Sequence, residues 1–223
     1  MPGLRQLCTL AEALVDGAEG GRAVLGIAGE PGAGKSTLVR LLLGELTAVH
    51  GQGWAAHLPM DGFHLADAQL ARLGLTDRKG APETFDVEGY AALLHRVRRP
   101  APGSGPVYAP GFERDLEQPL AAALHIPPTA RLVLTEGNYL LLRDDRWRAA
   151  RAQLDAVWWV AVDAGVRQAR LVSRHEAWGK GAERARAWVA RVDEVNASTV
   201  RDRSDPADLV LRETDTGWSV RSG

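Results

Sequence analysis

The stretch GEPGAGKST, residues 29 to 37, stands directly behind the apolar run AVLGIA and directly ahead of the leucine-rich run LVRLLLGEL. Its spacing is Gly29, four residues, then Gly34, Lys35 and Ser36. That fits the pattern in which backbone N–H groups cradle phosphate oxygens, a lysine reaches the outer phosphates and a hydroxyl completes a magnesium shell. Ala23 to Ala28 reads as a short, fully buried strand. From Lys35 onward Leu38, Leu42 and Leu46 fall on one helical face, with Val39, Leu43 and Val49 beside them and Gly51 and Gly53 as a stop. Strand, glycine turn and helix is the order that aims the unpaired N–H groups and the positive dipole end of a helix at bound phosphates. The chain holds only three lysines, so one at this spacing carries information. Gly29, Glu30, Pro31, Gly32, Ala33, Gly34, Lys35, Ser36 and Thr37 are therefore expected to hold the phosphates of a nucleotide.

The rest of the chain alternates between strands and helices. An N-terminal helix carrying Leu7, Leu10 and Leu14 precedes the first strand. WAAHLPM (54–60) reads as a second strand running into Asp61, and ADAQLARLGL as a helix. A loop, KGAPETFD, leads to a helix over about 87–98. The Pro/Gly-rich stretch 99–119 then suits an insertion or a mobile loop. RLVLTEG (131–137) and AVWWVAVD (156–163) are buried strands, with Trp158 and Trp159 as core residues. Helices follow over about 164–177 and 183–200, and ADLVL is a late strand. Such alternation implies an α/β fold, a doubly wound and mostly parallel sheet flanked by helices, with ligands at the carboxyl ends of the strands. A length of 223 residues suits one such domain over 1–223.

Composition removes several classes of function. Twenty-seven Lys and Arg face 28 Asp and Glu, scattered among one another, which argues against a nucleic-acid partner. Cys8 is alone, which excludes a disulfide framework within the chain and suits a reducing, cytoplasmic location. No apolar run reaches membrane-spanning length and the N-terminus lacks the form of a signal peptide, so no membrane association is expected.

Three polar positions stand at strand ends and should converge: the phosphate loop, Asp61 and Glu136. Phosphoryl transfer needs a cradle for the donor, a magnesium ion bridging phosphates, and a group that orients or deprotonates the attacking hydroxyl. Asp61 is the candidate base. Glu136 is the candidate magnesium holder beside Ser36. The cofactors expected are ATP and Mg2+.

The series GEPGAGKST, MDGFH, KGAPETFD, PGFERDLEQP and TEGNYLLL, in this order along the chain, resembles the phosphoribulokinase, uridine kinase and bacterial pantothenate kinase superfamily of P-loop kinases. It is most similar to a branch labelled nucleoside-kinase-like or sugar-transport-associated (fructose) kinase. The resemblance covers about 26–208 and assigns the base to Asp61 and the magnesium-associated glutamate to Glu136. It implies that His64 faces the substrate, that Lys79 and Asp86 approach an acceptor pocket, and that Arg114 stands where relatives place a substrate-binding group. The segment RLVSRHEAWGKGAER resembles the family's lid, about 174–186, with Arg170 and Arg174 one helical turn apart and so on one face. Lys180 and Arg184 stand where related lids often carry further arginines. Asn196, in a helix of alternating charges, is expected to face solvent, with a family feature near the nucleotide as the alternative.

A switch GTPase would need N-K-x-D, which the chain lacks, and Asp86-Val-Glu-Gly89 follows APETF instead of a buried strand. A transport ATPase would show LSGGQ or its like, also missing. The resulting expectation is an ATP-dependent kinase that phosphorylates a hydroxyl of a small polar metabolite, a nucleoside or a sugar. A pantothenate-kinase-like enzyme and a non-catalytic nucleotide-binding regulator are the alternatives. A homodimer stays open.

Overall fold

The computed structural model describes residues 3–18, 22–101, 103–179, 181–214 and 217–222. In chain order the elements are α1 (Leu4–Gly17), β1 (Ala23–Ala28), α2 (Lys35–His50), β2 (Ala55–Pro59), α3 (Asp67–Leu73), α4 (Val87–Arg98), β3 (Val107–Glu113), β4 (Gln118–Ile126) and β5 (Leu132–Gly137). Then come α5 (Asp145–Arg151), β6 (Ala156–Ala161), α6 (Ala164–Ala177), α7 (Ala182–Trp188), α8 (Glu194–Arg203), β7 (Leu209–Thr214) and β8 (Gly217–Ser222). The main sheet has the order β2-β5-β1-β6-β7-β8. All neighbours in it are parallel except β7 and β8.

The central strand shows why the sheet is covered on both sides. Successive side chains of a strand point to opposite faces. Ala23, Leu25 and Ile27 of β1 pack with Leu7 of α1 and Leu38, Leu42 and Leu46 of α2. Val24 and Ala28 pack on the other face with Tyr90 and Leu94 of α4 and Trp147 of α5. Every residue of β1 is buried, as a parallel strand between two helical layers must be. Removing one of the fully buried leucines of α2 down to alanine should cost about 2–5 kcal/mol. Leu10 and Leu14 are only partly buried, because α1 turns Leu4, Leu7, Ala11 and Val15 inward.

Several elements depart from the sequence reading. The stretch expected as an insertion or mobile loop over 99–119 carries one arm of a β-hairpin, Val107–Glu113, with β3 antiparallel to β4. Val107, Ala109 and Gly111 alternate inward, and Pro110, which cannot donate to a ladder, falls where the register shifts. The hairpin lies on the turn after β2: a Cβ at Gly62 would sit 2.3 Å from Pro110 O, so only glycine admits this approach. Helix α5 and strand β8 were not anticipated. The helix expected over 183–200 is two helices joined by a π-helical turn, Val189–Asp193.

Candidate active site

The register of the sheet brings the three chemical positions together. Glu136 of β5 lies opposite Ile27 of β1 on one side and Pro59 of β2 on the other. The phosphate loop leaves β1 and Asp61 sits in a 3₁₀ turn, Met60–Phe63, directly after β2. Three adjacent strand ends thus open into one cavity of about 520 Å³.

Pro31, Gly32, Gly34, Lys35, Ser36 and Thr37 line one end of it. Gly32 has φ 79°, and a Cβ there would stand 2.8 Å from both Arg167 O and Leu171 Cγ, so glycine is required by conformation and by space. Lys35 opens α2 and is buried. Its ammonium donates to Gly29 O (3.0 Å), Glu30 O (3.0 Å) and Asn138 Oδ1 (2.6 Å). Burial lowers its pKa to about 8 against the opposing pull of Glu136 and Asp61. The Ser36 hydroxyl donates to Glu136 Oε1 at 3.0 Å. Burial, reinforced by the Asp61 charge, pushes the Glu136 carboxyl above its ordinary value, with Lys35 and Ser36 pulling the other way.

Magnesium favours an octahedron of oxygens, keeps several waters and usually takes one or two carboxylates plus substrate phosphates. The hydrogen-bonded pair of Ser36 hydroxyl and Glu136 carboxylate fits that donor set. Among the described residues no cluster of three or more His, Cys, Asp or Glu forms a protein-only cage.

Asp61, His64, Lys79 and Arg114 line the other end with Phe85, Phe112 and Trp178. Arg114 Nη2 donates to Asp61 Oδ2 at 2.7 Å. Burial opposes ionisation of Asp61, but His64 and Arg114 outweigh it and hold the carboxyl below its ordinary value. His64 Nδ1 meets Asp61 O at 2.7 Å, and its ring packs on Phe85 and Phe112. Lys79 pairs with Asp67 Oδ1 at 2.7 Å and donates to Glu117 O, tying the loop before α4 to the hairpin tip.

Arg170 and Arg174 both line the cavity from α6. Arg170 pairs with Glu213 at 2.9 Å. Arg174 lies over Trp178, and its Nε is buried with no hydrogen-bond partner among the described residues. Arg184 is exposed and away from the lining, and Lys180 lies outside the described residues.

Other expectations need correction. Asp86 is exposed and outside the cavity. Its carboxylate caps α4 by accepting from Gly89 N at 2.9 Å, the ordinary use of an aspartate ahead of a helix. Asn196 does not face solvent: it is buried, lines the cavity and donates to Gly80 O at 3.3 Å. Within the phosphate loop, Gly29, Glu30 and Ala33 lie outside the lining. The Glu30 carboxylate turns away to Arg167 Nε (2.9 Å) and Arg201 Nε (3.1 Å).

Sequence reasoning missed Asn138, His57, Phe112, Trp178 and Arg167. Asn138 follows Glu136-Gly137 and could have been read from that motif. His57 Nε2 is buried 3.9 Å from Glu136 Oε1, and burial lowers its pKa to about 4 despite the Asp61 charge. A histidine in mid-strand gave no signal. Arg167 is fully buried and also reaches Glu194 Oε1 at 2.7 Å, so it fastens α6 and α8 to the phosphate loop.

No protein-family profile matches the chain. Individual proteins do. The chain is 36% identical to the protein YggC of Escherichia coli (strain K12), over 88% of this chain and 80% of that one. It is 31% identical to a protein of Schizosaccharomyces pombe provisionally named a uridine kinase, over 86% and 83% of the two chains. A solved structure from Silicibacter sp. TM1040, provisionally named a fructose transport system kinase, superposes with a TM-score of 0.83, covering 94% of this chain and 99% of that one at 36% identity. The chain therefore belongs to the superfamily of P-loop kinases that contains the phosphoribulokinases, uridine kinases and pantothenate kinases.

Proposed function

We propose that this P-loop kinase transfers the γ-phosphate of ATP to a hydroxyl of a small polyhydroxylated metabolite, sugar-like or nucleoside, with Asp61 as the general base. The observation that carries the reading is a single cavity in which the phosphate loop and the Glu136 carboxylate occupy one end and Asp61 the boundary with a second, polar end. A nucleotide-binding regulator needs no carboxylate at that boundary.

In this reading Lys35 exchanges its internal acceptors for phosphate oxygens, where a fixed charge is worth most as charge develops during transfer. Ser36 and Glu136 would hold Mg2+, which would supply charge neutralisation on the phosphates. An Asp61 oxygen takes the proton of the acceptor hydroxyl while the hydroxyl oxygen bonds to the γ-phosphorus. The bond from that phosphorus to the β–γ bridging oxygen breaks, and ADP leaves with the electron pair. Arg170 and Arg174 approach the transferring group from α6, Arg174 at the start of the segment 174–186 that we read as a lid and Arg170 one turn before it. Lys79, His64 and Arg114 face the acceptor. Their polar groups select against apolar alcohols, which would leave them unpaired.

The test is acceptor-dependent ADP release across nucleosides, ketoses, aldoses, polyols and their acids, with product mass showing one added phosphate. Turnover of a nucleoside monophosphate or a peptide in place of every small alcohol contradicts the reading.

A further inference from the structure

A second recess, of about 280 Å³, is lined by four arginines: Arg78, Arg143, Arg146 and Arg203. Two of them are neutralised. Arg78 pairs with Glu83 at 2.5 Å, and Arg146 pairs with Glu88 at 2.6 Å. The other two are not. Among the described residues Arg143 Nη2 reaches only the backbone carbonyl of Asp202, at 2.7 Å, and the Arg203 side chain makes no hydrogen bond or ion pair. The carboxylates beside them are committed elsewhere. Asp144 caps α5 by accepting from Arg146 N at 3.1 Å, and Asp202 accepts from the Ser198 hydroxyl at 2.8 Å.

The fold holds these two uncompensated charges together. Arg143 N donates to Arg203 O at 2.7 Å, and Leu142 forms an antiparallel bridge with Ser204. Two like charges delivered into one recess by hydrogen-bonded backbone repel each other unless an anion lies between them. Both residues are exposed, so an anion reaches them from solvent. A phosphoryl group carries a charge of about −1.5 to −2 near pH 7 and three acceptor oxygens, which serve two guanidiniums at once, whereas a single carboxylate offers one charge to two cations.

The recess also shares a wall with the main cavity. Lys79 and Gly80 line the cavity, Arg78, Pro82 and Glu83 line the recess, and Asn196 lines both. Gly80 O anchors that wall by accepting from Tyr139 Oη at 2.6 Å and Asn196 Nδ2 at 3.3 Å. We propose that the recess is an effector site for a small phosphoryl anion, inorganic phosphate or a phosphate ester, and that its occupancy fixes residues 78–83 and so tightens acceptor binding. Arg143 and Arg203 take the phosphoryl oxygens, and Arg78 joins them from the shared wall. Occupancy rests on the geometry of the recess alone, and its effect on the acceptor rests on the kinase reading above.

Calorimetry on the full chain tests occupancy, with a non-hydrolysable ATP analogue and Mg2+ filling the phosphate end and with inorganic phosphate, methyl phosphate and acetate as the titrants. One of the two phosphoryl probes should bind at one site with a Kd of about 1 mM or tighter, and the tighter of the two tells free phosphate from an ester. Arg143→Gln with Arg203→Gln should weaken that binding about tenfold or more, the scale of one or two charge-assisted contacts. Arg203→Gln alone, which breaks no internal contact, should weaken it in part, and Lys35→Met should leave it unchanged. The same anion should lower the acceptor KM about twofold or more in the parent and not in the double variant, with the KM for ATP steady in both. Absence of binding, binding that survives the double variant or is lost in Lys35→Met, or acetate binding as tightly as phosphate would each overturn the site. Binding that leaves the acceptor KM unmoved would overturn the coupling. If no alcohol is phosphorylated, the kinase reading falls, and the calorimetry still decides whether the recess takes a phosphoryl anion.

Discussion

The two ends of the cavity are built by different means. At the phosphate end Lys35 and Ser36 lean on the loop's own backbone and on the end of the adjacent strand: Lys35 on Gly29, Glu30 and Asn138, Ser36 on Glu136. At the acceptor end the contacts join elements outside the sheet, as in Asp61 with Arg114, Lys79 with Glu117, and Arg114 with Trp178. The first end is a rigid fitting of strand ends and a helix start. The second is a meeting of the hairpin, the loop before α4 and α6, so its geometry depends on packing between elements outside the main sheet. Binding energy at the first end should act on ATP in the ground state, and at the second end chiefly on turnover.

The variant expected to harm both ATP binding and turnover breaks the phosphate end. Lys35→Met should weaken ATP binding and lower turnover by about 10²- to 10³-fold, the scale of a lost preorganised charge at a developing anion. Calorimetry and steady-state kinetics on the same preparation check both. Near-normal turnover would remove the loop from the chemistry.

A smaller effect separates the two ends. Arg174→Ala should lower kcat about 10-fold or more while changing ATP affinity little, because an arginine that meets its target only on closure acts in the transition state. Equal losses in both quantities would place Arg174 in the ground-state ATP site. Arg170, tied to Glu213, is the next to replace.

Lys35 also links binding to pH. Its pKa of about 8 leaves it partly neutral near pH 8, and phosphate favours the charged form, so its pKa rises when ATP binds. ATP affinity should therefore fall as pH rises through about 8, with a fraction of a proton taken up per ATP bound. Calorimetry in two buffers of different ionisation enthalpy measures the uptake. Proton release would reverse the assignment.

The smallest effect marks the boundary of the acceptor end. Asp86→Ala should cost about 1 kcal/mol as a lost helix cap, with kinetics unchanged. A changed acceptor KM at unaltered thermal stability would return Asp86 to the pocket.

The same contrast explains what the sequence disclosed. β1, α4 and α6 were legible to the residue, because hydrophobic period and caps are local signals. Asp61 and Glu136 could be placed because each ends an apolar strand. Asp86 was misjudged because motif likeness outweighed its simpler use three residues ahead of Gly89. The hairpin escaped notice because glycines and prolines hid an alternation that becomes visible only in β3, where Val107, Ala109 and Gly111 face inward. Trp178 and Phe112 could not be assigned at all. Their role exists only where the chain brings them to either side of Arg114.

The central claim is that Asp61 is the base standing between the two ends. The direct measurement is Asp61→Asn, with ATP affinity by calorimetry and single-turnover phosphoryl transfer to the best acceptor. Asparagine keeps the shape and removes the basicity, so transfer should slow by about 10²- to 10⁴-fold while ATP affinity stays within about twofold of the parent. A parallel loss of ATP affinity would place Asp61 in the magnesium shell instead, and unchanged transfer would show that another group takes the proton.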